Sequence, residues 1–168
     1  MRDTMMNRRA ALGLGGMTVV GGLTMFGFGG AGHASPGKFQ VMYTDAEWRK
    51  RLPPKVYAVL RQEDTEPAGT SPLLKEKRRG TYHCAGCALP VFSSATKYES
   101  GTGWPSFWKP LPNAIGTRED NKLFFSRTEV HCRRCGGHLG HVFDDGPRDA
   151  GGQRWCINSC ALDFDGAK

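Results

Sequence analysis

The six cysteines of this 168-residue chain fall into two kinds by spacing. Cys84 and Cys87 in HCAGCALP, and Cys132 and Cys135 in HCRRCGGH, form two Cys-x-x-Cys pairs with 44 residues between them. Two such pairs make one tetrahedral site, because each can turn both sulfurs toward a single ion while Gly86, Gly136 and Gly137 supply tight turns. Four thiolates close a coordination sphere, so the expected ion is a structural zinc. Two disulfides, or an iron held between paired knuckles, are the competing arrangements. His83, His131 and His138 flank the pairs and are expected to stand beside the metal. Cys156 in QRWCINS and Cys160 in SCALDF lie outside this pattern. In an extended strand Arg154, Cys156 and Asn158 share a face, which sets a cation beside a thiol and favours the nucleophilic thiolate. The run HLGHVF adds His138 and His141, side chains that titrate near neutrality. Three residues apart, they face opposite ways in a regular strand unless a bend at Gly140 turns both inward; without it His141 is the one expected to serve.

The elements that carry these residues are short. Thr44-Asp45-Ala46-Glu47 has the form of a capping box and predicts a helix that must stop at Pro53 and Pro54. Val56, Val59 and Leu60 recur at helical spacing and predict a second one. EDTEPAGTSPLLKEKRRG is too polar and too interrupted by proline for regular structure and reads as a long loop. From Gly80 onward, runs such as GTYHC, LPVFSS, NKLFFSRTEVHC and RWCINSCALDF are bounded by Gly, Pro, Asn or Asp, which predicts a mainly β body. GTREDNKLFFSR predicts a hairpin with its tip at Glu119, Asp120 and Asn121.

With 39% hydrophobic and 23% charged residues, the chain has material for one ordinary domain and excludes a large multidomain enzyme. A net charge of +7 permits contact with nucleic acid or a membrane surface without requiring either. Residues 1–34 read as an export leader. Arg8 and Arg9 precede a weakly apolar, glycine-rich run that ends in small residues, as in twin-arginine signal peptides. The expectation is cleavage near Ala34 or Ser35, a periplasmic mature protein of residues 35–168, and no stable membrane insertion thereafter; an uncleaved membrane anchor is the competing reading, against which the many glycines of the run count.

CAGC, SGTGWPSF, HCRRCGGHLGHVFDDGP and RWCINS follow one another in this order between Cys84 and Ser159. Together they resemble the B-type methionine sulfoxide reductases over about residues 40–165. The resemblance implies a mainly β fold with two small antiparallel sheets and short N-terminal helices, a structural zinc on Cys84, Cys87, Cys132 and Cys135, and reduction of the R epimer of methionine sulfoxide in peptides and proteins. Cys156 would be the nucleophile and end as sulfenic acid. His141, with His138 beside it, would serve the sulfoxide oxygen, Asn158 would hold the same oxygen, and Arg154 would lower the thiol pKa. Asp145 would orient the histidine region, and Trp104 and Phe143 would wall the pocket for the substrate methyl group. Many members carry a resolving cysteine where this chain has Thr102, so a thioredoxin-like protein or another external thiol is the expected reductant, with Cys160 a buried small residue. A monomer without nucleic-acid affinity is expected. The competing classes are a zinc-ribbon binding module, with Arg133 and Arg134 as phosphate contacts, and a rubredoxin-like electron carrier.

Overall fold

A computed structural model describes residues 39–122 and 125–167. The expected leader and its cleavage point lie outside the described residues. Helix α1 (Asp45–Arg51) starts where its sequence says it should: the Thr44 hydroxyl accepts from the Glu47 amide, and the Glu47 carboxylate takes the Thr44 amide. Helix α2 (Pro54–Gln62) has proline in its first turn, buries Tyr57, Val59 and Leu60, and ends at Glu63 in the left-handed conformation. The long polar loop that follows holds only one turn of 3-10 helix, Pro72–Lys75. None of the described helices is long and apolar enough to cross a membrane.

Among the described residues, nine strands form two antiparallel sheets. The smaller is ordered β2 (Pro90–Ser93), β1 (Gly80–Cys84), β9 (Leu162–Gly166). The larger runs β3 (Lys97–Tyr98), β4 (Ser106–Phe107), β8 (Arg154–Ile157), β7 (His138–Phe143), β6 (Arg127–Cys132), β5 (Ile115–Asp120). One face of the larger sheet is apolar and contributes Val130, Ile157 and Phe107 to the core. Phe107 joins the sheets: its ring stacks on Phe92 of β2 at 4.4 Å and meets Tyr82 of β1 edge-on at 5.0 Å.

The other face of the larger sheet is polar, and its register lines up the chemistry. Ser106, Cys156, His141, Glu129 and Arg118 are successive cross-strand partners on β4, β8, β7, β6 and β5. Direct neighbours in such a row share a face, with Cβ atoms about 4.5–5.5 Å apart. Gly140 is required here because the backbone comes close: a Cβ on it would lie 2.1 Å from the Cys156 carbonyl oxygen. The β5–β6 hairpin is longer than its polarity suggests. Pairing continues to Asp120–Arg127, so the connection is residues 121–126, and Glu119 and Asp120 belong to the strand rather than to the tip. The Asp120 carboxylate turns inward to Arg127 and His141, which extends the strand past the expected turn.

Candidate active site

Cys84 ends β1 and Cys132 ends β6, so the two cysteine pairs sit where the two sheets come together. The pairs fold alike: the Ala88 amide donates to the Cys84 carbonyl and the Gly136 amide to that of Cys132, both at 2.8 Å. Ala88 and Gly136 occupy matching left-handed positions, with φ of 57° and 68°. Of the three glycines expected to shape these turns, Gly136 is the one that must be left-handed, and the first knuckle uses Ala88 in its place.

None of the six cysteines is in a disulfide. The Cys84 and Cys135 sulfurs are 3.7 Å apart and those of Cys87 and Cys132 3.5 Å apart, too far for a disulfide, and the four lie within 4.8 Å of one another. A tetrahedron of sulfurs about 2.3 Å from a central ion has edges of about 3.8 Å, so the cluster is built to the size of a four-thiolate metal site. Leu60 of α2 packs over it beside Gly86 and Gly137. Arg134 donates to the Cys87 carbonyl and Arg133 to the Asn113 side chain, so these arginines brace the knuckle rather than stand ready for phosphate.

Cys156 is half-buried on β8, with the Thr102 hydroxyl 3.9 Å from its sulfur. Thr102 bonds in turn to Ser100 at 2.9 Å, and Ser100 to Ser106 at 2.7 Å. Arg154 lies two residues before Cys156 and on the same face. Its guanidinium is sandwiched, 4.4 Å over the Phe143 ring and paired through Nε and Nη2 with Asp145 at 2.8 and 2.9 Å. Asp145 thus orients the arginine and not the histidines, a correction to the expectation drawn from FDDGP. The thiol pKa also departs from expectation. Burial pushes the Cys156 thiol up, and the opposing pulls of Thr102 and Arg154 do not overcome it. The resting group is a thiol, and it needs a base.

The two histidines are brought together, with ring centroids 5.3 Å apart. The β6–β7 register slips between Val130 and His131, where Leu139 is the extra residue. This bulge, next to Gly140, turns His138 to the side of His141. Their surroundings differ. His138 is only 2% exposed, and its Nδ1 meets the buried Glu129 carboxylate at 2.8 Å. His141 is more accessible, stands opposite Cys156 in the ladder, and has its ring 6.4 Å from that of Phe143. Burial lowers the His141 pKa from its ordinary value, with Asp120 opposing, so at neutral pH the ring is a neutral acceptor.

Asn158 does not join this group. It lies just past β8, with Oδ1 accepting from the Glu66 amide at 3.0 Å and Nδ2 donating to the Leu139 carbonyl at 3.3 Å. The strand ends before the alternation that would have carried Asn158 to the Cys156 face. Glu66, set in the loop that looked shapeless, is a hub. Its buried carboxylate accepts from the Ser159 amide and hydroxyl at 2.5 and 2.6 Å, and its carbonyl accepts from Trp104 Nε1 at 3.0 Å. Trp104, immediately before Pro105 and β4, is thereby held by the same residue that fixes the turn after Cys156. Cys160 is half-buried, not buried, and lines a separate cavity of about 460 Å³ with Lys55, Ser71, Leu73 and Phe164. Burial and the nearby Glu66 charge push its thiol up to about 12.

Comparison with known proteins decides the family. The SelR domain model matches residues 52–166, most of the chain and all of the site just described. The chain belongs to the SelR domain family. Curated relatives of this SelR protein include "Peptide methionine sulfoxide reductase MsrB" of Leifsonia xyli subsp. xyli, 50% identical over 132 residues that cover 78% of this chain and 95% of that one. The MsrB of Leptospira interrogans is 50% identical over 127 residues, covering 75% of this chain and 96% of the relative. That of Burkholderia pseudomallei is 48% identical over 122 residues, covering 72% and 85%. Beyond the motifs of the family, the site uses Asp120, Glu129, Arg127 and Glu66. A signal for Arg127 and Glu129 was present: with His131 they alternate with Thr128, Val130 and Cys132, so β6 carries a charged face within the protein.

Proposed function

We propose that the protein reduces the R epimer of methionine sulfoxide in peptides and proteins, with Cys156 as nucleophile. The observation that carries this reading is Cys156 and His141 side by side on the polar face of the sheet, as cross-strand partners, in a chain that is 50% identical to named sulfoxide reductases over 75–78% of its length. Neutral His141 takes the proton of the Cys156 thiol, the thiolate attacks the sulfoxide sulfur, and the imidazolium returns the proton to the oxygen as its charge grows. The oxygen passes to Cys156 as the S–O bond of the substrate breaks, giving sulfenic acid and methionine. The cysteine sulfur loses two electrons and the methionine sulfur gains them, so this half-reaction needs no other reductant. His138 supports His141 from the buried side, Arg154 steadies the thiolate, Trp104 and Phe143 wall the methyl pocket, and Asn158 acts by holding the backbone beyond Cys156. The direct test is dabsylated methionine R- and S-sulfoxide with dithiothreitol. Turnover of the R epimer alone is expected, and equal turnover of both would contradict the assignment.

Zinc is the ion we assign to Cys84, Cys87, Cys132 and Cys135; it has four sulfur ligands, no open position and a structural task. Export by the twin-arginine-like leader to the periplasm is the proposed location, supported by the Arg8-Arg9 pair and the uncharged run after it.

Regeneration is proposed to need an external thiol or dithiol protein. Thr102 stands within 3.9 Å of the Cys156 sulfur but cannot form a disulfide, and Cys160 opens into a different cavity with a poorly ionised thiol. Thr102→Cys should therefore install what is missing. After one turnover without reductant, that variant is expected to lose 2 Da as a disulfide between the introduced thiol and Cys156, read by intact mass. Persistent sulfenic acid in the variant would contradict the placement of Thr102.

A further inference from the structure

Asp120 carries no motif, and the hairpin reading placed it at a solvent-facing tip, yet its side chain is only 8% exposed. Both of its oxygens are engaged. Oδ1 accepts from the Lys122 amide at 3.1 Å. Oδ2 accepts from Arg127 Nη2 at 2.6 Å and meets His141 Nε2 at 2.8 Å. Arg127 and the Lys122 amide can only donate, so they hold Asp120 as a carboxylate that can only accept. Its pKa is accordingly lowered to about 2, first by the His141 hydrogen bond. A carboxylate facing Nε2 requires the proton of neutral His141 to be on Nε2, which leaves the lone pair on Nδ1. Glu129 imposes the reverse on His138: it meets Nδ1, and Nε2 is buried with no hydrogen-bond partner among the described residues. Two adjacent imidazoles are thus set in opposite tautomers by two carboxylates from different strands.

We propose that Asp120, clamped by Arg127, is the positioning residue of His141: it binds Nε2, fixes the ring, and reserves Nδ1 for the proton exchanged with Cys156 and the substrate oxygen. The inference rests on the role given to His141 above. It adds a third member to the pair: a carboxylate on β5 meets an imidazole on β7, which stands opposite a thiol on β8. The carboxylate also favours the imidazolium that exists between the two proton transfers, as an acceptor-only partner does for any histidine base. Asp120 itself bonds to Lys122, Arg127 and His141 and not to Cys156.

The test compares Asp120→Asn, Arg127→Gln and His141→Asn with the wild type, each as reduced, metal-loaded protein. It reads kcat and KM for R-sulfoxide and the His141 titration by ¹H–¹⁵N correlation. His141 faces Asp120 of β5, Arg127 and Glu129 of β6, His138 of its own strand and Cys156 of β8, and only the first two are altered. Asp120→Asn is expected to lower kcat roughly 10- to 100-fold with KM within about twofold, and to move the His141 titration to lower pH. Arg127→Gln keeps the carboxylate but loosens it, and gives a smaller loss of the same kind, which guards against failure of the first variant to fold. A kcat within twofold of wild type for Asp120→Asn and Arg127→Gln, or an unmoved His141 titration, while His141→Asn is inactive, would overturn the role of Asp120 and leave that of His141 standing. Wild-type turnover by His141→Asn would overturn the reading on which the proposal rests.

Discussion

Cys156→Ser is expected to abolish sulfoxide reduction, with a loss of at least about 10⁴-fold in kcat for the R epimer, while the protein stays folded and keeps its metal. The substitution changes one atom at a half-buried position and leaves the β8 ladder intact. A serine hydroxyl is far less nucleophilic than a thiol and does not accept an oxygen atom as sulfur does, so the loss is chemical and not structural. The check is the dithiothreitol assay on both proteins together with their melting temperatures. Comparable activity with matched stability would remove Cys156 from its role.

The second large effect is on folding. Cys132→Ser, or removal of the metal by a strong chelator, is expected to unfold the domain. A structural four-thiolate ion contributes on the order of 10 kcal/mol or more of folding free energy, against a typical net stability of about 5–15 kcal/mol. The cysteine cluster joins the end of β1 to the end of β6, so its loss removes a tie between the two sheets. Metal content by elemental analysis should fall from about one zinc per chain to none, and the near-ultraviolet circular dichroism of the buried aromatic core should vanish with it. A metal-free protein with an unchanged spectrum and melting temperature would show that packing of Phe92, Phe107 and Tyr82 suffices to hold the sheets.

What could be read from the amino acids alone follows from range. The capping box at Thr44, the helical spacing of Val56, Val59 and Leu60, and the two cysteine knuckles are local patterns, and each is found where its spacing puts it. The bend near Gly140 was one of two arrangements left open, because two side chains three apart face opposite ways in a regular strand, and the bulge at Leu139 is what brings both histidines together. Roles decided by distant partners were not legible. Asp120 looked like a turn residue because Glu-Asp-Asn is turn-like, and only the approach of His141, 21 residues on, draws it inward. Glu66 is isolated in a polar loop, and its partners Ser159 and Cys160 are more than 90 residues away. Asn158 fits the strand alternation until the strand stops one residue early. The ionisation of Cys156 is a balance between a neighbouring cation, visible in sequence, and burial, which is not.

The most direct measurement is a single turnover without reductant, followed by mass spectrometry of the Cys156 peptide. Mixing excess methionine R-sulfoxide with reduced wild-type protein should yield about one methionine per chain and add one oxygen, 16 Da, to Cys156, trappable by a sulfenic-acid probe. Formation of methionine with Cys156 unmodified and the oxygen or a disulfide found elsewhere in the chain would contradict the account.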